Sequence, residues 1–245
     1  MTIIKNPISK VISILIFSLI FIVGCSNSEQ EVSKKASSNA NQNKEKQSST
    51  ENTDVVASPD DIAVLVNKEY RLPENYVPND LVYPDVPFLF NEKIEKRQMR
   101  KEAAEALKKM FDAAMLDGIH LAGVSGFRSE VRQTELYNNY VKQDGIEEAD
   151  KYSARPGYSE HQTGLSIDVS GITGEFAVDD NFAYTEEAKW LDKHAHEYGY
   201  IIRFPKGKED ITGYKYEPWH IRYVGEEIST EIYEKGITLE EYYEN

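Results

Sequence analysis

The sequence predicts an α+β fold: a single compact domain in which a small antiparallel sheet is flanked by helices. Three observations carry this. Apolar residues at 99, 103, 106, 107, 110 and 114 form a helical stripe. Leu165-Ser-Ile-Asp-Val169 alternates strictly, which is the period of a strand. Such helix and strand segments follow one another without the regular strand–helix–strand rhythm of a parallel sheet.

The chain opens with Lys5 and Lys10 and no acid, and Val11 to Val23 is then apolar apart from Ser13 and Ser18. This pattern reads as a secretory signal and is short for a membrane span. Ile22-Val-Gly-Cys25 follows at once and resembles the lipobox of bacterial lipoproteins. The resemblance implies cleavage after residue 24, a lipid on Cys25, and a protein held on the outer face of the bacterial cell membrane. Residues 25–58 are then expected to be a disordered linker. From Ser26 to Ser58 there is no aromatic, Leu or Ile, and Val32, Val55 and Val56 are the branched apolar residues. Such a segment buries too little surface to offset chain entropy, and as a coil it reaches on the order of 30 Å.

The folded domain is expected over 59–245. Ile62 to Val66 reads as a strand or extended segment, and Leu72 to Phe90, with its four Pro, as irregular wrapping structure. The apolar stripe predicts a helix from Glu92 to Leu116, stopped by Gly118. Ile119 to Val124 follows as a strand. Ser129 is placed to cap a helix to about Gln143. The alternating 165–169 strand is expected to be half-buried, with Ser166 and Asp168 on its polar face. Thr185 caps a helix with Trp190, Leu191, His194 and Tyr198 on one face, ended by Gly199. Tyr200–Arg203 and His220–Val224 read as strands, and Gly225–Glu234 and Thr238–Tyr243 as helices.

Charge and cysteine content exclude several functions. Of 245 residues, 28 are Lys or Arg and 42 are Asp or Glu, a net charge of −14. A nucleic-acid binder needs a basic patch instead. One Cys excludes an intramolecular disulfide framework and a polythiolate zinc site. Ser-x-x-Lys, Gly-x-Ser-x-Gly and His-Glu-x-x-His are all absent, so nucleophilic Ser or Cys catalysis is poorly supported. What remains is Ser159-Glu-His161-Gln-Thr-Gly-Leu-Ser-Ile-Asp168 and Glu217-Pro-Trp-His220. Two imidazoles and one carboxylate are a catalytic-type zinc set with a position open for water, and a second carboxylate can take that water's proton.

Three stretches resemble the zinc D,D- and L,D-carboxypeptidases of the VanY and LdcB type, which trim peptidoglycan stem peptides. They are Ser125-Gly-Phe-Arg128-Ser129 with Gln133, Ala154-Arg-Pro-Gly-Tyr-Ser159-Glu-His161-Gln-Thr-Gly-Leu-Ser-Ile-Asp168, and Glu217-Pro-Trp-His220-Ile-Arg-Tyr. The resemblance implies the hedgehog/D-Ala-D-Ala-peptidase-like version of the α+β fold. It implies His161, Asp168 and His220 as zinc ligands and Glu217 as general base. Arg128 would hold the carbonyl oxygen or the substrate carboxylate, and Gln133 and Ser159 would line the peptide site. The expected partners are stem peptides and, through the lipid, the membrane. No nucleic acid is expected, and the chain is expected to act as a monomer. D,D- and L,D-cleavage both stay open, with the 155–164 run slightly nearer the L,D branch. A wall endopeptidase and a non-catalytic metal-binding lipoprotein are the rival roles. His194 is expected on a core face, His196 on the surface, Tyr70, Tyr76 and Tyr83 in packing, and the acidic 240–244 tail in solvent.

Overall fold

A computed structural model describes residues 54–244; the signal segment, Cys25 and the linker as far as residue 53 lie outside the described residues. In chain order the elements are β1 (Asp54–Val55), β2 (Tyr70–Arg71), β3 (Leu81–Val82), β4 (Met99–Arg100), α1 (Lys101–Leu116), β5 (Leu121–Ser125), α2 (Glu130–Asp144) and α3 (Ile146–Ala149). They continue with β6 (Ser166–Gly171), α4 (Glu186–His194), β7 (Tyr200–Ile202), α5 (Glu209–Thr212), β8 (His220–Tyr223), α6 (Glu226–Lys235) and α7 (Leu239–Glu244). Four strands form one antiparallel sheet in the order β5-β6-β8-β7, and two short ladders, β1-β2 and β3-β4, lie apart from it.

The helical stripe is confirmed but starts later than its period suggests. Glu95–Arg97 form a single 3₁₀ turn, and Met99 and Arg100 pair with Val82 and Leu81. Arg100 is extended, so α1 begins at Lys101 and buries Ala103, Ala104, Leu107, Met110, Phe111 and Ala114. Ser129 and Thr185 cap α2 and α4 as expected, accepting from the backbone N–H of Arg132 and Ala188. The helix expected up to Gly199 divides into α4 and a 3₁₀ turn, Ala195–Tyr198.

Other expectations are corrected. Ile62–Val66 joins no strand: Ile62 and Ala63 lie in a turn, 64–66 form no regular element, and the Ile62 and Val64 carbonyls accept from the Arg222 side chain. Residues 54–58 were assigned to the linker by composition, yet β1 pairs in parallel with β2. Strand 166–171 is buried on both faces and not on one, because its polar face is covered by other polar groups. Tyr76 packs on the core and donates to the Pro59 carbonyl, whereas Tyr70 and Tyr83 are exposed.

The main core joins α1 and α4 to one side of the sheet through Leu107, Met110, Ile167, Leu191, Tyr200 and Ile221. Each such side chain contributes ~1.5–3 kcal/mol when fully buried. That apolar support fixes β6 against β8 and offsets the cost of the charges buried on the polar side.

Candidate metal centre and active site

Ser159 leads into a 3₁₀ turn, Glu160–Thr163, that carries His161. Gly164 ends the turn at φ 68°, where an added Cβ would meet Leu81 at 2.9 Å. This left-handed residue lets the chain reverse into β6 and bring Asp168 back beside His161. In the sheet Asp168 is paired directly with His220 of β8. The sequence spacing of seven and the strand register thus place three candidate ligands together. One nitrogen of each imidazole and one oxygen of Asp168 lie within 4.8 Å of one another.

The nitrogens divide clearly into inner and outer. His161 Nε2 is 3.5 Å from Asp168 Oδ2, and His220 Nδ1 is 3.1 Å from Asp168 Oδ1. On the far side, His161 Nδ1 donates to the Gly126 carbonyl at 2.9 Å. That carbonyl is aimed by a β-bulge: Gly123 pairs with Val169 and Ser125 with Asp168, so Val124 is the extra residue. An outer N–H held by a backbone carbonyl leaves the inner lone pair of His161 free for a metal. Two imidazole nitrogens, one carboxylate oxygen and burial of all three residues fit zinc.

Electrostatics agree with this use. Burial, with Arg128 nearby, pushes the His161 pKa down to about 3, so the ring is neutral. Burial opposes charge on His220 too. The hydrogen bond to Asp168 and the nearby carboxylates of Glu160 and Glu217 outweigh it and raise the pKa to about 9, so a metal must displace a proton there. Burial also resists ionisation of Asp168, and the two histidines overcome it to hold its carboxyl below the usual range.

Glu217, Arg128 and Ser159 share one pocket of about 230 Å³ with these three residues. Glu217 precedes Pro218, and its N–H donates to the Phe204 carbonyl, which holds the loop before β8. Burial raises the Glu217 pKa to about 7, with a further push from Asp168. That is the range a general base needs near neutrality. Arg128 sits immediately before the capped start of α2; its N–H donates to the His161 carbonyl at 3.2 Å.

Gln133 is placed differently from expectation. It is fully buried and does not line the pocket. Its Oε1 accepts from Arg128 Nη1 at 2.8 Å, while its Nε2 donates to the Ala154 carbonyl at 2.6 Å. It holds the arginine and leaves the substrate space to others. His194 and His196 stay away from this centre: His194 stacks on Trp190, and His196 stacks on Tyr233 in place of a free surface position.

The family model described as VanY, D-alanyl-D-alanine carboxypeptidase, matches residues 96–226, a span that includes Arg128, Ser159, His161, Asp168, Glu217 and His220. The chain belongs to the VanY family. Among its relatives, YodJ of Bacillus subtilis, which carries a carboxypeptidase name, is 52% identical over 78% of this chain and 70% of its own. The solved structure of the LdcB LD-carboxypeptidase is 52% identical, with a TM-score of 0.75 over 78% of this chain and 89% of that one. VanYB in complex with D-Ala-D-Ala is 32% identical, with a TM-score of 0.61 over 75% of this chain and 98% of that one. A VanY variant from a VanB-type cassette, solved with Zn(II), is also 32% identical, with a TM-score of 0.58 over 74% and 98%.

Sequence reasoning missed Glu160 and Glu240. Glu160 lies between two motif positions, and nothing local distinguishes it from a solvated acid. Glu240 was read as part of a solvated tail; it is buried and paired with Arg203 at 2.6 Å.

Proposed function

We propose that this chain is a zinc-dependent carboxypeptidase that removes the terminal D-Ala from peptidoglycan stem peptides during cell-wall remodelling. It would act outside the membrane as a lipid-anchored monomer. The observation that carries the reading is the convergence of His161, Asp168 and His220 with an unligated, proton-accepting Glu217 in one pocket. The VanY neighbour solved with Zn(II) supports the choice of metal. The higher identity to LdcB than to the two VanY structures supports cleavage of the L,D bond over the D,D bond.

His161, Asp168 and His220 would hold the zinc, which when bound lowers the pKa of water and polarises a carbonyl. Glu217 takes the proton from the water that attacks the scissile carbonyl carbon. Burial of Glu217 makes it basic enough for this near neutral pH. The Arg128 guanidinium, fixed by Gln133, stabilises the carbonyl oxygen as negative charge develops there. Glu217 then gives its proton to the nitrogen of the departing D-Ala. Ser159, which lines the same pocket, would bind the peptide backbone.

The test is digestion of purified muropeptides followed by mass spectrometry. Tetrapeptide stems should lose one D-Ala and become tripeptides, and a chelator should stop the reaction. Loss of one D-Ala from pentapeptides alone would assign D,D-cleavage; release of larger fragments would assign an endopeptidase. Cys25→Ser should move the protein out of the membrane fraction or leave an uncleaved precursor. Unchanged processing and membrane association would overturn the anchor.

A further inference from the structure

Behind the metal-site residues lies a second buried cluster that this mechanism does not use. Glu160, Arg203, Arg222 and Glu240 are each at most 7% exposed, and their two negative and two positive charges balance. Glu160 Oε1 accepts from Arg203 Nε at 2.7 Å and from Arg222 Nη1 at 2.8 Å. Its Oε2 accepts from Ser166 Oγ at 3.1 Å. Arg203 then grips Glu240 of α7 through two hydrogen bonds, of 2.9 and 2.6 Å. Glu160 Oε2 also lies 3.5 Å from His220 Nε2. That nitrogen is fully buried and without a hydrogen-bond partner.

We infer that Glu160 is a positioning residue for His220: it receives the outer N–H of the ring when the inner nitrogen ligates metal, and the arginine pair backed by α7 holds it there. This rests on the zinc reading above. A neutral imidazole has one N–H and one lone pair. If Nδ1 gives its lone pair to the metal, the proton belongs on Nε2. A buried N–H without an acceptor carries its full desolvation cost. Glu160 Oε2 is the acceptor within reach, and a small rotation of the ring shortens 3.5 Å to a hydrogen bond. The same arginine also steadies the main chain, because Arg203 N–H donates to the His220 carbonyl at 3.1 Å. The two ligand histidines are therefore oriented by different means: His161 by a backbone carbonyl, His220 by a carboxylate fixed between guanidinium groups.

The test measures zinc affinity by chelator competition on the full chain, beside its thermal midpoint. Glu160→Gln is expected to weaken zinc binding about 10–100-fold, the range for loss of such an outer partner. Glu240→Gln, one step further out, should weaken it less. A folded E160Q that binds zinc as tightly as wild type, with only its thermal midpoint lowered, overturns the inference and leaves the proposed function standing. Wild type that holds no zinc overturns both. Should E160Q not fold, ¹⁵N–¹H spectra of zinc-loaded wild type decide. The Nε2 proton of His220 should be downfield and slow to exchange. A proton on Nδ1, or solvent-like exchange at Nε2, overturns the inference.

Discussion

The metal-site residues and the charge cluster behind them are equally buried, yet they treat polarity in opposite ways. Around His161, Asp168, His220 and Glu217, groups are left with capacity to spare, and their proton affinities are displaced. His161 is pushed down to about 3, Glu217 up to about 7 and His220 up to about 9. Around Glu160, Arg203, Arg222 and Glu240, nearly every polar atom is used, and Glu160 is held ionised because the two arginines outweigh its burial. The comparison separates two uses of buried charge. A saturated cluster specifies structure, whereas an unsaturated one keeps its valences for a ligand and a proton.

The strongest way to break this comparison is Glu217→Gln. It keeps shape but removes the proton acceptor. The rate constant kcat should fall at least ~10²–10⁴-fold, with zinc content and KM near wild type. A folded, zinc-loaded, fully active variant would remove Glu217 from the mechanism. Next in size is Arg203→Met in the saturated cluster. It strands the Glu240 carboxylate and leaves Glu160 with Arg222 as its remaining guanidinium partner, and the expected loss is ~3–5 kcal/mol in denaturant unfolding. A loss under about 1 kcal/mol, the level of an exposed ion pair, would show that the cluster is not the structural element described here. Gln133→Leu sharpens the boundary between the two regions, since Gln133 is saturated yet touches Arg128, the proposed oxyanion stabiliser. The loss of a hydrogen bond to a charged group, ~1.5–3 kcal/mol, should appear as roughly a tenfold or greater fall in kcat/KM. Unchanged kinetics would mean that Arg128 keeps its place unaided.

The smallest effect concerns pH. The Glu217 pKa is raised on folding, so the folded state binds the proton more tightly than the unfolded chain does. The stability this contributes is complete below about 4.5, the ordinary glutamate value, and is lost as pH rises through about 7. The metal-free wild type should therefore lose thermal midpoint relative to metal-free Glu217→Gln across that window, then run parallel above it. Parallel curves throughout would contradict the raised pKa.

What was legible in the sequence follows the same division. His161 and Asp168 are joined by one turn at Gly164, and Glu217 and His220 are three residues apart; these spacings suggest a zinc set, and the resemblance to the VanY and LdcB type supplied the individual roles. Arg128 was read from the same resemblance, and the helix start at Ser129 agrees with it. The saturated cluster was not readable, because its bonds cross 43 residues from Arg203 to Glu160 and 37 from Arg203 to Glu240. Gln133 looked like any polar residue of an amphipathic helix; its burial depends on the Ala154 carbonyl, which arrives from another loop. Ile62–Val66 has the composition of a strand, but its carbonyls are taken by Arg222. The α1 start was displaced for a similar reason, since Met99 and Arg100 are claimed by Val82 and Leu81.

Asp168 and His220 stand on β6 and β8, the two inner strands of the four-stranded sheet. The side chains that ring the pocket mouth come from elsewhere: Tyr140 from α2, Tyr152 and Tyr158 from the loops after α3, Val178 from the loop after β6, and Lys215 from the segment before β8. Two of the three candidate metal ligands therefore stand on the inner strands, and these lining side chains do not. Exchange of these lining segments offers a route to test peptide preference that leaves the inner strands untouched.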